Sequence, residues 1–236
     1  MTMRRRELLA AAGALGWAAL LEACGAGPRE VGGLLRRVEA GNERLERALF
    51  RHTAMQHVGA AAPVAGRGLP SYFISERVPV WDASVHGPWA LEVGGLVRTP
   101  LRLALADLRG LPSVTQKVEH ICVEGWSARV VRTGVPVRDL AALAGADRAA
   151  RVVDFASFDA DYHESWDIES AMHPQTLVVH AQDGQPLDPA TGAPARVHSP
   201  VKLGYKNTKY LVRLMFLPER NGGYWSDEGY EWYGGL

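Results

Sequence analysis

The stretch His120-Ile-Cys-Val-Glu-Gly-Trp-Ser127 is the most distinctive part of the sequence and decides how the rest of it is interpreted. It places a cysteine at the end of a β-like run, before a turn that Gly125 favours because glycine has no β-carbon. Side chains where strands pass into loops often line binding sites. A cysteine thiolate there can bind a soft metal ion, and a metal-bound thiol is deprotonated. Trp126 would wall such a site and offer its indole N–H.

Taken alone, this stretch leaves three roles open for Cys122. The first is an inert buried cysteine, which is common in protein cores, and the second is a metal ligand. The third is the nucleophile of a thiol hydrolase, with His120 or His163 as its base, because residues two apart on a strand share a face. Such a hydrolase would lack a recognisable third catalytic residue beside the cysteine and the histidine, and it would lack an oxyanion-hole motif.

The composition indicates one globular domain without a strongly charged partner. The 236 residues are 47% hydrophobic, which is enough for one sizeable core, and 26 basic residues balance 26 acidic ones. A nucleic-acid partner is therefore not expected. The two cysteines, Cys24 and Cys122, are too few for an iron–sulfur cluster, and the sequence has no CxxCH haem motif.

The N-terminus has the layout of an export signal. A basic stretch, Arg4-Arg5-Arg6, precedes an apolar run that is shorter than the roughly 20 residues a spanning helix needs. Arg5-Arg6-Glu7-Leu8-Leu9 resembles the twin-arginine signal of proteins that are exported already folded. We therefore expect a signal peptide over residues 1–23 and a periplasmic or otherwise exported protein.

Export also separates the two cysteines. Leu21-Glu22-Ala23-Cys24 resembles a lipobox, so Cys24 is a possible lipid anchor. A lipidated Cys24 cannot form a disulfide, which leaves Cys122 as the sole free thiol. A single free thiol in an exported protein is a candidate for reactivity or for metal binding.

Hydrophobic patterning predicts an α+β domain of mixed sheets and short helices behind a helical arm. Residues 31 to about 58 carry an apolar stripe near the helical period, residues 24–68 form the arm and a linker, and the domain is expected over 69–236. Strands are predicted at Trp89–Val93, Val114–Val123, Arg151–Phe158, Thr176–His180, Ala195–Ser199 and Tyr210–Phe216. Helices are predicted at Leu103–Leu108, Val137–Ala144 and Ile168–Met172.

Several ordered segments of the domain together resemble the sulfite-oxidase superfamily. Cys122–Ser127 and Thr133–Leu140 are similar to its metal-ligand region, and Gly204–Tyr210 to the loop that holds the cofactor phosphate. Ala171–Leu177 is similar to the segment before its hairpin, and Asp183–Leu187 with Gly192–Arg196 is similar to the hairpin and the cofactor-contacting arginine after it. The resemblance covers roughly residues 70–236. It is nearest to the bacterial periplasmic molybdopterin-dependent oxidoreductases that include the catalytic subunit of the methionine-sulfoxide reductase system.

This resemblance implies a molybdenum–pyranopterin cofactor whose metal is bound by Cys122, with no haem or iron–sulfur cluster in the chain. Arg132 and His163 join Cys122 as candidates for catalysis, since a histidine can move a proton or bind an anion. The cofactor-binding residues that the resemblance implies are Tyr72, Phe73, Cys122, Ser157, Arg196, Lys202, Asn207, Thr208 and Lys209. Basic side chains suit a doubly charged phosphate, although alone they would also fit a solvated basic face.

The sequence departs from the family at several of these points. Many members follow an aromatic pair with Arg-Asn-His, whereas here Ile74-Ser75-Glu76-Arg77 follow Tyr72-Phe73. A tryptophan usually precedes the Gly-Val-Pro turn, where this chain has Arg132-Thr133. We therefore expect a different substrate pocket. The chain also ends where larger members add an immunoglobulin-like dimerisation domain, so a monomer is expected.

The resemblance implies transfer of an oxygen atom to or from a small sulfur- or nitrogen-containing substrate. Sulfite, methionine sulfoxide and small S- or N-oxides all fit, with either molybdenum or tungsten. Electrons would be exchanged with a separate redox partner, such as a membrane haem protein or a cytochrome. The alternative is a non-enzymatic exported lipoprotein that keeps the fold as a binding module, which the altered Ser75-Glu76-Arg77 stretch suggests.

Overall fold

The computed structural model describes residues 33–49, 54–58 and 70–236, with side chains in the first segment from Arg37 onward. The expected signal peptide, the lipobox at Cys24 and most of the linker lie outside the described residues. Within the described ranges, no helix is both long enough and apolar enough to cross a membrane.

The domain consists of two five-stranded sheets with short helices between their strands. The helices are α1 Gly33–Leu49, α2 Ala83–His86, α3 Leu105–Gly110, α4 Val137–Ala144, α5 Ile168–Ala171 and α6 Tyr224–Asp227. The strands are β1 Ala90–Gly95, β2 Leu101–Ala104, β3 Val114–Ile121, β4 Ser127–Pro136, β5 Val152–Ser157, β6 His163–Asp167, β7 Leu177–Gln182, β8 Gln185–Pro186, β9 Arg196–His198 and β10 Leu211–Leu217. The predicted class, α+β with mixed sheets and an N-terminal helix, is confirmed.

The first sheet has the strand order β2-β1-β10-β5-β6 and supplies much of the hydrophobic core. Only the β1–β10 pair is parallel, while the other neighbours are antiparallel. Leu91, Phe155, Leu214 and Phe216 are fully buried on its strands. Trp166 of β6 packs on Phe155 with ring centroids 4.8 Å apart. This packing fixes the end of β5, from which the chain runs into the site.

The second sheet joins β3, β4 and β7 in antiparallel order, with β8 and β9 both paired to β7. The β3–β4 hairpin pairs without a break from Val114↔Gly134 to Ile121↔Ser127. The sheet is curled. Its strands β3 and β9 are not paired, yet His120 Nδ1 on β3 lies 3.2 Å from His198 Nε2 on β9. The curl brings the cysteine turn close to the loop after β9.

The six predicted strands are present with ends shifted by at most two residues, and four others, β2, β4, β6 and β8, were not predicted. The prediction of a helix over Leu103–Leu108 was wrong at its start, since residues 101–104 pair with β1 and the helix begins at Leu105. The arm was predicted as helix to about residue 58, but α1 ends at Leu49 and residues 54–58 are not helical. There Gln56 exchanges hydrogen bonds with Gln175 and Glu119 instead.

The arm packs on the domain through charged contacts. Arg220 pairs with Glu39 at 3.1 Å and with Glu43 at 3.0 Å, while Arg47 reaches Glu169 at 3.3 Å. These groups are at least partly exposed, so each ion pair contributes little to stability. The arm is thereby held beside the segment that follows β10.

Candidate active site

A cavity of about 430 Å³ lies where the cysteine turn, the end of β5 and the loops near residues 190, 205 and 225 meet. Its walls combine three kinds of side chain, one of which is the pair of carboxylates Glu124 and Asp159. Aromatic rings form one part, and the cations Arg132, Arg196 and Lys209 form another. Cys122 opens into the same space, so the cavity brings a thiol, cations and aromatic surfaces together.

Cys122 begins a tight turn that closes the β3–β4 hairpin. Its N–H donates to the carbonyl of Trp126 at 2.9 Å, and its own carbonyl accepts from Gly125 N–H at 3.1 Å. Gly125 has a φ of +83°, a conformation that glycine adopts without strain. The thiol is free and partly buried, and burial raises its pKa, with the Glu124 charge adding to the effect.

The environment of Cys122 gives no support to a thiol hydrolase. A nucleophilic cysteine needs a lowered pKa or an adjacent base, whereas the pKa of this thiol is raised. Burial, followed by the charges of Arg196 and Arg132, lowers the pKa of His120 to about 3, and its Nδ1 faces His198 rather than the sulfur. A bound metal ion would instead deprotonate the thiol directly.

Residues 70–75 form a strap along the cavity, held by partners on three sides. Tyr72 Oη donates to Glu124 Oε2 at 2.5 Å, and Trp126 Nε1 donates to the same oxygen at 3.2 Å. Lys209 Nζ donates to the Tyr72 carbonyl at 2.9 Å. The buried carboxylate of Asp159 accepts the strap's backbone N–H groups at residues 74 and 75. The strap therefore ties the cysteine turn to the opposite wall.

The cavity cations have no carboxylate partner in an ion pair among the described residues. Arg196 donates to the carbonyls of Thr191 and Asn207 at 3.0 and 3.1 Å, and Lys209 donates only to carbonyls. Burial lowers the pKa of Arg196 to about 10. Burial and the neighbouring Arg196 charge lower that of Lys209 to about 7, against opposing effects of Asp159 and Asp188. These cations therefore favour the binding of an anion in the cavity.

Several polar atoms here also lack partners, which tests whether the cavity fits a phosphate-bearing, metal-binding group. Among the described residues, Arg132 Nε, Thr208 Oγ1 and Tyr210 Oη are buried without a hydrogen bond. A β-carbon on Gly204 would lie 3.0 Å from His120 Nε2 and 3.4 Å from the Cys122 Cα, so this position brings the loop against the cysteine turn. Unpaired donors, cations and one thiol fit an anionic cofactor with a soft metal.

The structure brings together most of the residues predicted for the site. The cavity is lined by Tyr72, Phe73, Cys122, Arg132, Ser157, Arg196, Asn207 and Lys209. Thr208 is buried just outside the lining. Lys202 lies elsewhere, since its Nζ contacts Asp167 Oδ1 at 2.6 Å and the Tyr233 carbonyl at 2.5 Å. His163 also lies outside, with Nδ1 2.7 Å from Asp154 Oδ1.

Sequence reasoning missed an aromatic wall and a second buried ion pair. The rings of Tyr162, Tyr224, Trp225, Tyr230 and Tyr205 follow one another with centroids 5.1–5.5 Å apart, and all five line the cavity. The density of tyrosine and tryptophan near the C-terminus was the available signal. The ion pair joins Lys206 Nζ to Glu164 Oε2 at 2.5 Å, with Glu164 on β6 and Lys206 in the loop after β9.

Comparison with known proteins gives a family match and several relatives. The family model described as "Oxidoreductase molybdopterin binding domain" matches residues 76–225. The "Putative protein-methionine-sulfoxide reductase subunit YedZ1" of Azospira oryzae is 43% identical over 165 residues, covering 70% of this chain and 62% of that protein. The "Protein-methionine-sulfoxide reductase catalytic subunit MsrP" of Ralstonia nicotianae is 31% identical over 154 residues, covering 59% and 46%.

Among solved structures, the "Sulfane Dehydrogenase SoxCD" of Paracoccus pantotrophus is similar in fold, with a TM-score of 0.53 at 23% identity. The match covers 56% of this chain and 38% of that one. The chain therefore matches about half to three fifths of the length of these curated relatives and less of the structural one.

Proposed function

Because the chain belongs to the family of oxidoreductase molybdopterin-binding domains, we propose that it is an exported molybdenum–pyranopterin oxidoreductase. It would move an oxygen atom to or from a small sulfur- or nitrogen-containing substrate. The observation that carries this proposal is the cavity itself, in which Cys122 shares one space with the cations Arg132, Arg196 and Lys209.

The residues that would hold the cofactor follow from their positions in the cavity. Cys122 would bind the metal as a thiolate, while Arg196, Asn207 and Lys209 would face the phosphate. Tyr72, Phe73 and Ser157 would contact the pterin, and the buried Thr208 lies between Asn207 and Lys209 in the sequence. When bound, the cofactor supplies the two-electron oxygen-transfer chemistry.

The chain's own contribution would be to position and shield the reacting atoms. The Tyr72–Glu124–Trp126 contacts hold the cysteine turn in one geometry. The aromatic wall from Tyr162 to Tyr205 removes water from one side of the site, which strengthens the electrostatic interactions within it. His163, engaged with Asp154 outside the cavity, is less suited to catalysis than Arg132.

The relatives suggest where to look for substrate and partner. Two of them are named as methionine-sulfoxide reductase subunits, one of these a catalytic subunit. We therefore infer that methionine sulfoxide is the first oxygen donor to test, and that a separate redox partner, such as a membrane haem protein or a cytochrome, exchanges electrons with this chain. The twin-arginine-like signal agrees with export after the cofactor has been inserted.

Metal analysis of Cys122→Ser tests this function. The full chain, produced in a bacterium that makes molybdopterin and has the twin-arginine route, should contain close to one molybdenum per chain. Cys122→Ser should lose most of the metal and all turnover, because one thiolate ligand is removed. The control is Cys24→Ser, the other cysteine, which should keep its molybdenum. Metal-free protein with full activity would contradict the proposal.

A panel of substrates then separates the oxygen-transfer reactions. With a reduced dye as electron donor, methionine sulfoxide, dimethyl sulfoxide and trimethylamine N-oxide are offered as oxygen donors. Sulfite is offered as an oxygen acceptor with an oxidised dye. We expect turnover of at least one, absent in Cys122→Ser. A metal-loaded chain that turns over none of them would favour the binding-module alternative.

A further inference from the structure

Arg132 is a buried cation that the surrounding chain does not neutralise. It lies on β4 with 0% exposure, on the same face as Val130 and, across the hairpin, Val118. Arg129, three residues earlier, lies on the opposite face of the strand. The charge of Asp183 raises the pKa of Arg132, but among the described residues no carboxylate forms an ion pair with it. A buried guanidinium without a counter-charge is costly, so a bound anion is expected.

The hydrogen bonds of Arg132 leave several of its donors available. A guanidinium has five N–H groups in a planar fork. In Arg132, Nη1 donates to Gln182 Oε1, and Nε has no partner among the described residues. In Arg196, by contrast, all three nitrogens donate to backbone carbonyls. Arg132 is therefore the cavity guanidinium with the most capacity to bind an added anion.

A histidine pair beside the same cavity supplies a further donor in one of its two tautomers. His120 Nδ1 and His198 Nε2 are 3.2 Å apart, and the pair shares one proton. If His120 donates, the proton on His198 Nδ1 has no partner, since that buried atom is unpaired. If His198 donates, the proton of His120 lies on Nε2, the atom that would be 3.0 Å from a β-carbon on Gly204. Either tautomer leaves one N–H unused, but of the two residues it is His120 that lines the cavity, so the tautomer with the proton on His120 Nε2 is the one that offers a donor to an anion there.

We propose that Arg132 and His120, with His198 behind them, form a subsite for a tetrahedral oxyanion in the cavity wall. The proposal rests on the proposed function for the nature of the cavity, and it names a ligand class for Arg132, so far only a candidate for catalysis, and for the histidine pair. The oxyanion comes either from an anionic substrate or from the phosphate of the cofactor. Arg132 supplies a bidentate grip, which suits both.

Variants of Arg132 in the holoenzyme test the subsite, and Arg129→Gln on the other face of β4 is the matched control. Arg132→Gln removes the charge, while Arg132→Lys keeps it but loses the fork. Two quantities are measured: the molybdopterin content, as fluorescence of the released oxidised pterin, and the affinity for sulfate and inorganic phosphate, by calorimetry. Wild type and Arg129→Gln should agree in both.

The two sources of the oxyanion, substrate and cofactor phosphate, predict different losses in Arg132→Gln: of sulfate affinity or of pterin content. If the substrate supplies it, Arg132→Gln keeps its pterin and binds sulfate on the order of 10- to 100-fold more weakly. If the cofactor phosphate supplies it, pterin content falls severalfold instead. Should Arg132→Gln fail to fold, Arg132→Lys and His198→Gln must show the same loss in milder form. Unchanged pterin and unchanged sulfate affinity in the folded variants would overturn the subsite.

The two proposals fail in distinguishable ways. A wild-type chain without molybdopterin that still binds phosphate through Arg132 would contradict the proposed function and leave the subsite standing. A molybdenum-loaded, active chain whose Arg132 variants match Arg129→Gln in both measurements would contradict the subsite alone.

Discussion

The surroundings of Cys122 show how one residue type can serve different chemistry. Its thiol has a raised pKa because it is partly buried, and hydrogen bonds from the backbone of Glu124 and Val123 only partly offset that effect. Such a thiol is a poor nucleophile at neutral pH, since the thiolate is the reactive form. Metal coordination does not share this limit, because the metal ion itself displaces the proton. The same burial that disfavours a hydrolase is compatible with a metal ligand.

The hydrogen-bond partner of His163 indicates a structural role rather than a catalytic one. Its Nδ1 lies 2.7 Å from Asp154 Oδ1, and this hydrogen bond raises the pKa of His163 above its ordinary value of 6.5 despite partial burial. The pair therefore stabilises the fold fully below pH 6.5, and the contribution is lost as pH rises through the folded-state pKa.

We predict that His163→Gln destabilises the protein in acid and not in base. The loss of unfolding free energy should be about 1 kcal/mol or less at pH 5.5, because the pair is partly exposed, and close to zero at about pH 9. Urea denaturation of both proteins at the two pH values measures it. His86→Gln, at an exposed helix end, is the control. A larger loss at the higher pH would show that the sign is wrong.

At the level of elements, strand β4 and the loop after β9 together form much of the site. β4 carries Arg132 and places the cysteine turn, while the loop is fixed by the buried pairs Lys202–Asp167 and Lys206–Glu164. Removing one partner of a buried pair is costly, since it leaves a charge without compensation. These lysines thus hold the loop that carries Asn207 and Lys209 rather than contacting the cavity ligand.

Gly134 permits the close approach of β4 to β7. A β-carbon there would lie 2.7 Å from the Cα of Val179 and still closer to the carbonyl oxygen of Val178, both of which are backbone atoms. We predict that Gly134→Ala lowers the unfolding free energy by about 2–4 kcal/mol.

Gly110→Ala is the control for that change, because a β-carbon at the end of α3 would meet nothing within 4 Å. It should be neutral or stabilising by up to about 1 kcal/mol. Thermal and urea unfolding of both variants test the pair. Equal unfolding free energies for Gly134→Ala and Gly110→Ala would contradict the prediction, because they would mean that β4 and β7 can move apart to admit a β-carbon.

Across the whole molecule, the uncompensated cations of the cavity link folding to ligand binding. Arg132 and Arg196 are buried and Lys209 is half-buried within one cavity, and their charges lower one another's pKa values or those of nearby groups. An anionic cofactor that binds only the folded state stabilises it by mass action.

We therefore predict that the chain produced without molybdopterin has a Tm about 5–10 °C below that of the loaded protein. Phosphate should recover part of this difference, whereas chloride at equal ionic strength should recover less, because the effect needs a bound oxyanion. Differential scanning calorimetry of both forms measures it. Equal Tm values for the two forms would contradict the linkage.

The extent of sequence prediction differs between the fold and the site. Apolar runs such as residues 152–157 predicted their strands, because periodic burial leaves a local pattern. The pattern fails at β4, where Arg129, Arg132 and Gly134 interrupt the run, and at β6, where Glu164 is buried against Lys206. The side chains of these two strands are buried against residues distant in the sequence, so a short stretch of sequence does not contain the partners on which their burial depends.

By itself, the sequence determined the cysteine turn, the export-like N-terminus and the family to which the domain belongs. Only the tertiary structure decided which cations face the cavity: Arg132 does, whereas Lys202 is paired with Asp167. It also joined His120 to His198 and assembled the aromatic wall from residues 162–230. The physical reason is that a motif records local backbone chemistry, while the state of a buried charge depends on the whole set of groups folded around it.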